Sequence, residues 1–214
     1  MVRPVPTRVY HFTHVDNLST ILREGIQCHA QAGASGLTAV DIGNRAIKAS
    51  RASRQVPVAP HGLVGDYVPF YFATRSPMMS AIDNGRVPEY TDGSDRLIYL
   101  ATTLEALTAG SAEIVLTDRN AALAFTEFHR LADGEPAEDF IDWPLMEARY
   151  WNNTNEYPDR RERRMAECLV HRSVPWESVL FVGARSQTVA DQVDQIVGAA
   201  EWIPRVAVRT NWYF

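Results

Sequence analysis

The apolar segments of this chain are short and come in no regular order. VYHFTH, DYVPFYFATRSP, DRLIYLATTL, EIVLTD, AECLVHRSV, SVLFVGA and RVAVRT each have the length and composition of a strand. Helical spacing appears between only some of them. DNLSTILREGI carries Leu18, Ile21, Leu22 and Ile26 on one side, with Asp16 placed to cap it and Gly25 to end it. SQTVADQVDQIVGAA does the same with Val189, Val193, Ile196 and Val197. PMMSAIDNG and NAALAFTEFHRLAD read as further helices, and residues 45–54 as a basic helical turn. Strands without a repeating βαβ rhythm point to an α+β fold rather than a doubly wound sheet. Pro69 inside VPFYF marks a bulge or a sheet edge, since proline has no ladder donor. Residues 28–46 read as a loop of small residues, and 133–159 as a long ordered loop with one short helix.

The 214 residues suffice for a single domain spanning 1–214, with no repeat and no linker-like tract. No apolar run nears the roughly 20 residues of a membrane span. The N-terminus MVRPVPTRVYHF lacks the apolar core of a signal peptide. Two cysteines, Cys28 and Cys168, make neither a disulfide framework nor a zinc site, so a cytoplasmic setting is expected. The net charge is -5, yet eight of the 21 basic residues fall in two windows: Arg45, Lys48, Arg51 and Arg54, and Arg160, Arg161, Arg163 and Arg164. Such windows are solvated helix faces or local docking sites for a polyanion.

P-loop, dinucleotide-binding glycine, H-E-x-x-H and G-x-S-x-G motifs are all absent. His11 and His14 are three apart on a strand and face opposite sides, so no metal pair is expected. Three polar residues stand out inside apolar strands: His11 in YHFT, Tyr71 in VPFYF and Glu167 in AECLVH. Each has an ordinary explanation. A strand histidine is commonly a satisfied core residue, a tyrosine packs with its hydroxyl at an edge, and a glutamate pairs with a nearby arginine.

Taken together and in chain order, the three resemble the His–Tyr–Glu triad of ADP-ribosyltransferases. The segments YHFTHVDNLSTILREGI, DIGNRAIKASRASRQVPV, VGDYVPFYFATRSPMM, LTDRNAALAFTEF and RRMAECLVHRSVPWE more specifically resemble the DarT family, DNA-modifying ADP-ribosyltransferase toxins of bacterial toxin–antitoxin pairs. That family often has two adjacent arginines after I-K; here Ser50 and Arg51 hold those places, and Arg51 is the better match.

The resemblance implies two packed, mostly antiparallel sheets flanked by helices. It implies NAD as co-substrate and transfer of ADP-ribose to a base of single-stranded DNA, most readily thymine. Glu167 would orient the nicotinamide ribose and stabilise the positive charge that develops there, ionised with help from the nearby arginines. His11, Thr13 and Asn17 would hold NAD, with Tyr71 packed on its nicotinamide. Arg51 would contact the NAD phosphates or the base as the base loses its proton. A free pKa above about 12 makes Arg51 an awkward base and a natural electrostatic partner. Arg54, Tyr150, Trp151, Asn152, Arg160, Arg161 and Arg164 would grip the DNA, as cations and aromatic platforms grip single strands. Tyr157 precedes the same arginines, and Asn153 and Asn155 are further candidates for base-edge contacts. The family reading also implies a monomer without metal, opposed by a macrodomain antitoxin of the DarG kind. Transfer to RNA or protein, or a non-catalytic nucleic-acid-binding module, are the competing readings.

Overall fold

The computed structural model describes residues 3–214. In chain order the elements are β1 (Arg8–His14), α1 (Leu18–Glu24), β2 (Ile26–Gln27), α2 (His29–Ala34), α3 (Arg45–Ser53), β3 (Tyr67–Tyr71) and α4 (Pro77–Asp83). There follow β4 (Leu97–Thr103), α5 (Leu104–Ala109), β5 (Ile114–Thr117), β6 (Phe128–Arg130), α6 (Trp143–Glu147), α7 (Arg160–Arg163) and β7 (Glu167–His171). The chain closes with β8 (Ser173–Val174), β9 (Phe181–Ala184), α8 (Gln187–Val197) and β10 (Arg205–Val208).

The fold is α+β. Eight strands lie in the order β10-β9-β4-β1-β3-β7-β5-β6, and β2 and β8 form a separate two-stranded sheet. All pairings are antiparallel except β9 with β10. The large sheet falls into two four-stranded halves. β1 is registered with β4 along its whole length, and β3 with β7 along its whole length. Between the halves a single pair is registered, Tyr10 with Tyr71.

Pro69 sits at that parting. Its carbonyl accepts a hydrogen bond from the His11 ring at 2.9 Å, in place of a backbone partner on β1. A proline has no N–H to offer a neighbouring strand. The parting therefore acts as an internal edge, in the middle of the sheet rather than at its rim.

Apolar clusters cover the sheet. One gathers Val68, Phe70, Ile98, Leu100 and Cys168 with α1, α6 and α8; another gathers Phe12, Tyr71, Leu97 and Tyr99 with α4. From Leu97 to Thr102 every residue of β4 is buried, as expected for a strand covered on both faces.

Three local expectations are corrected. NAALAFTEFHRLAD is not a helix. Residues 118–127 form the loop of a hairpin whose register sets Thr117 opposite Phe128, so the segment continues as β6 and ends in a 3-10 turn at Leu131–Asp133. Side chains take the bonds a helix needs: Asp118 Oδ1 accepts from Glu127 N at 2.9 Å, and Thr126 Oγ1 donates to Asn120 O at 2.6 Å. Asp16 does not cap α1, because its carboxylate pairs with Arg96 at 2.6 Å while its own N–H donates to His14 Nδ1. The 28–46 loop contains α2, a helix of six residues with no buried side chain and hence no apolar stripe to reveal it.

Gly25 ends α1 at φ 73°, where an added Cβ would stand 2.6 Å from Val174 O. Gly25→Ala should destabilise the fold by about 1–3 kcal/mol, read as a lower urea midpoint with unchanged m-value.

Candidate active site

His11, Tyr71 and Glu167 come from β1, β3 and β7, three strands lying side by side. Tyr71 is registered with Tyr10 on one side and with Glu167 on the other. Directly opposed residues on antiparallel strands have Cβ atoms about 5 Å apart, so Tyr71 stands beside Glu167. The parting of β1 and β3 brings the His11 ring into the same region. A cleft of about 470 Å³ opens there, with His11, Thr13, Asn17, Arg51 and Tyr71 in its wall.

Glu167 is fully buried. Its two oxygens accept from Arg51 Nη1 at 3.0 and 2.9 Å, and Oε1 also accepts from the Ala121 backbone N–H at 3.0 Å. These bonds give the buried carboxylate a charged partner and a backbone donor. The positive charge beside Glu167 is thus Arg51, delivered by α3 from far away in sequence. It is not the arginine run at 160–164. Arg51 reaches the cleft wall and lies over the carboxylate, and its Nη2 is buried with no hydrogen-bond partner.

The His11 Nδ1 is 2.9 Å from Pro69 O, and a carbonyl only accepts, so Nδ1 carries the proton. Burial lowers the His11 pKa, opposed by the bond to Pro69, and favours the neutral ring. Nε2 is then an acceptor, suited to a sugar hydroxyl. Thr13 Oγ1 accepts from Asn17 Nδ2 at 2.9 Å, which leaves its own proton free to donate. Asn17 is fully engaged: its Nδ2 also reaches Val40 O, and its Oδ1 accepts from Ala39 N and Val40 N, all at 2.9 Å. It pins the 37–40 segment over the cleft rather than presenting free groups to it. Tyr71 is buried and stacks on Phe12, with ring centroids 6.1 Å apart. Burial and then the Glu167 charge push its phenol up, so it remains protonated. Its hydroxyl meets only Met78 Sδ, at 3.7 Å.

The residues expected on DNA divide sharply. Tyr150 and Asn152 are exposed, and Arg161 is exposed at the cleft rim. Arg160 donates to Tyr150 O at 2.9 Å, and Arg54 to Ala124 O at 2.9 Å with its guanidinium near the Phe128 ring. Tyr157 is exposed. Asn153 accepts from Arg161 N at 2.8 Å, so its side chain holds α7 in place.

Two expectations fail on burial. Arg164 is 4% exposed, and its guanidinium donates to the carbonyls of Leu145, Met146, Ala148 and Thr74. Burial, and then the Arg75 charge, lower its pKa to about 10, which leaves it charged at neutral pH. Trp151 is 7% exposed and packs edge-on against Phe214, so no base can stack on it in this conformation. Sequence reasoning missed the Ala121 amide, a backbone donor with no residue signature. It also missed Phe125, 61% exposed with Arg119 5.0 Å from its ring centre.

The cleft wall carries four permanent cations, Lys48, Arg51, Arg86 and Arg161, against one carboxylate, Asp41, which Lys48 already binds. Such a wall suits a phosphate-bearing molecule with sugar hydroxyls and aromatic parts. The orphaned Arg51 Nη2, the acceptor on His11 and the donor on Thr13 fit the diphosphate and ribose groups of NAD.

Comparison with known proteins gives the same answer. The family model described as "ssDNA thymidine ADP-ribosyltransferase, DarT" matches residues 10–214. A DNA ADP-ribosyl transferase of Thermus sp. (strain 2.9) is 36% identical over 214 residues, covering 99% of this chain and 98% of the relative. The structure of Thermus sp. 2.9 DarT in complex with ADP-ribosylated ssDNA superposes with a TM-score of 0.90 at 34% identity, covering 100% of this chain and 99% of that one. Its complex with NAD+ gives a TM-score of 0.84 at 35% identity, each chain fully covered. A Thermosipho africanus relative, 25% identical over 190 residues, covers 88% of this chain and only 45% of its own length. It is a DNA ADP-ribosyl transferase-DNA ADP-ribosyl glycohydrolase fusion protein. The fold and site are those of an NAD-dependent ADP-ribosyltransferase. This chain belongs to the DarT family.

Arg164→Met should act on stability, because four carbonyls lose their charged donor. A loss of about 3 kcal/mol or more is expected, seen as a lower melting temperature without DNA or NAD present.

Proposed function

We propose that this chain transfers the ADP-ribosyl group of NAD to a thymine base of single-stranded DNA, with nicotinamide as the leaving group. The observation that carries the reading is the buried Glu167, flanked by Tyr71 and met by Arg51 of the cleft wall. Glu167 accepts a hydroxyl of the nicotinamide ribose, orients the sugar and stabilises the positive charge that grows at its anomeric carbon. Tyr71 packs against the nicotinamide ring, and its neutral phenol adds no competing charge. His11 Nε2 and the Thr13 hydroxyl bind ribose hydroxyls. Asn17 acts through the 37–40 segment that it pins. Arg51 lies between cleft and carboxylate, so its hydrogen bonds must yield as the sugar reaches Glu167. The guanidinium then serves the diphosphate or the thymine as that base loses its proton.

The DNA strand runs along Arg54, Tyr150, Asn152, Arg160 and Arg161, of which Arg161 lies at the cleft rim. The reading takes a monomer and a single transferase domain as the acting unit. Both cysteines are free and buried, in keeping with a cytoplasmic protein. Among the described residues no helix is long and apolar enough to cross a membrane. An unchecked DNA mark is harmful, so the reading extends to a toxin countered by a macrodomain of the DarG type. The transferase–glycohydrolase fusion in T. africanus supports that pairing.

The test is mass spectrometry of short oligonucleotides after incubation with NAD. One ADP-ribose is expected on thymine-containing single strands with the unaltered protein. None is expected with Glu167→Gln, whose transfer rate should fall by about a thousandfold or more. Modification of matched RNA or of protein, with the DNA untouched, would move the acceptor. Neither product nor nicotinamide release from a folded protein would leave a binding module.

A further inference from the structure

One side-chain donor in the cleft has no strong partner. Asn120 shares the cleft wall with Arg51, Arg161 and Met165. Its backbone is fixed on both sides: its N–H donates to Glu162 O at 3.2 Å, and its carbonyl accepts from Thr126 Oγ1 at 2.6 Å. The next residue, Ala121, gives its N–H to Glu167. Asn120 is therefore the chain neighbour of the residue whose N–H binds the Glu167 carboxylate, on a backbone tied at both its N–H and its carbonyl. Its Oδ1 accepts from Ala122 N at 3.0 Å, which fixes which end of the amide is oxygen. What remains is the NH2 group, whose only partner among the described residues is the Met165 sulfur at 3.8 Å. A thioether is a weak acceptor, and the amide has two N–H bonds to place.

Thymine in DNA has N1 bound to deoxyribose, so N3 is its one ring nitrogen bearing a proton. In the transfer, N3 gives that proton to solvent and its electron pair forms the bond to the ribose anomeric carbon. The bond from that carbon to nicotinamide breaks, and its pair leaves on nicotinamide. As N3 loses its proton, negative charge spreads to the carbonyl oxygens at C2 and C4. A donor at either oxygen stabilises the anion more than the neutral base, which is the differential that speeds a reaction. Of the two carbonyl oxygens, that at C4 distinguishes thymine from cytosine, which has an amino group there. A donor aimed at that position accepts thymine and meets cytosine donor to donor.

We propose that the Asn120 side-chain amide donates to the C4 carbonyl of the target thymine and is a specificity-determining residue of this enzyme. The inference rests on the thymine-transferase reading above. Oligonucleotides with a single thymine, or a single 4-thiothymine whose C=S accepts poorly, would be compared by steady-state kinetics. The proteins are the unaltered chain, Asn120→Asp and Asn120→Ala. Aspartate keeps the acceptor for Ala122 and loses the donor, which guards against a loop that collapses in the alanine variant. On thymine, kcat/KM should fall by about tenfold or more in both variants. The unaltered protein should discriminate against 4-thiothymine, and the variants should not. The same thio-penalty in variant and unaltered protein, or a defect confined to a raised KM for NAD, would overturn the assignment. Absence of ADP-ribosylated DNA from the unaltered protein would instead remove the transferase reading beneath it.

Discussion

Burying the Glu167 carboxylate without exposure costs several kcal/mol unless donors meet it. Three segments are drawn together to supply and carry those donors. β7 brings the carboxylate, α3 brings Arg51, and the 118–127 loop brings the Ala121 N–H. The loop in turn is tied to α7 by the bond from Asn120 N to Glu162 O, and to α3 by the bond from Arg54 to Ala124 O. The position of one charge thus fixes the relation between the basic helix, the loop beside the cleft and the arginine-rich turn before β7. Removing either partner would leave an uncompensated buried charge, the costliest kind of defect in such a site.

The split in the sheet is the second requirement. A sheet hydrogen-bonded throughout would leave the His11 ring no room between β1 and β3. Pro69 cannot donate, and its carbonyl takes the His11 ring instead. One residue thereby loosens the ladder and sets the histidine tautomer. The stable parts lie outside the split, where β4 is buried on both faces and β3 and β7 pair fully. Rigid halves joined at Tyr10 and Tyr71 hold the three strand-borne residues in place while the parting stays open.

Glu167, Tyr71 and His11 stood out in the sequence as polar groups inside apolar strands, the resemblance to the His–Tyr–Glu triad joined them, and the fold sets them on three neighbouring strands. Arg51 was legible from I-K-x-x-R, though its pairing with Glu167 was not, since the helix that carries it is distant in the chain. The basic run at 160–164 misled for the opposite reason. Four arginines within five residues look alike in sequence, and only the fold gives Arg163 to Asp142 and Arg164 to four carbonyls, leaving Arg161 at the rim. Trp151 sat in a polar stretch that read as surface, whereas contact with Phe214 takes it inside. The 120–133 segment had helical composition, and the side chains of Asp118, Asn120 and Thr126 overrode it. Asp118 and Asn120, close together in T-D-R-N, were the available warning of a side-chain-capped loop.

The central claim is that Glu167 and Arg51 work as one unit: a buried carboxylate, and a cation that leaves it to meet substrate. Nicotinamide release with saturating single-stranded DNA, measured for Glu167→Gln, Arg51→Ala and the double variant, tests this directly. The account predicts strong non-additivity, with the double variant no slower than the worse single one. Losses that simply multiply would mean two independent residues, and would contradict it.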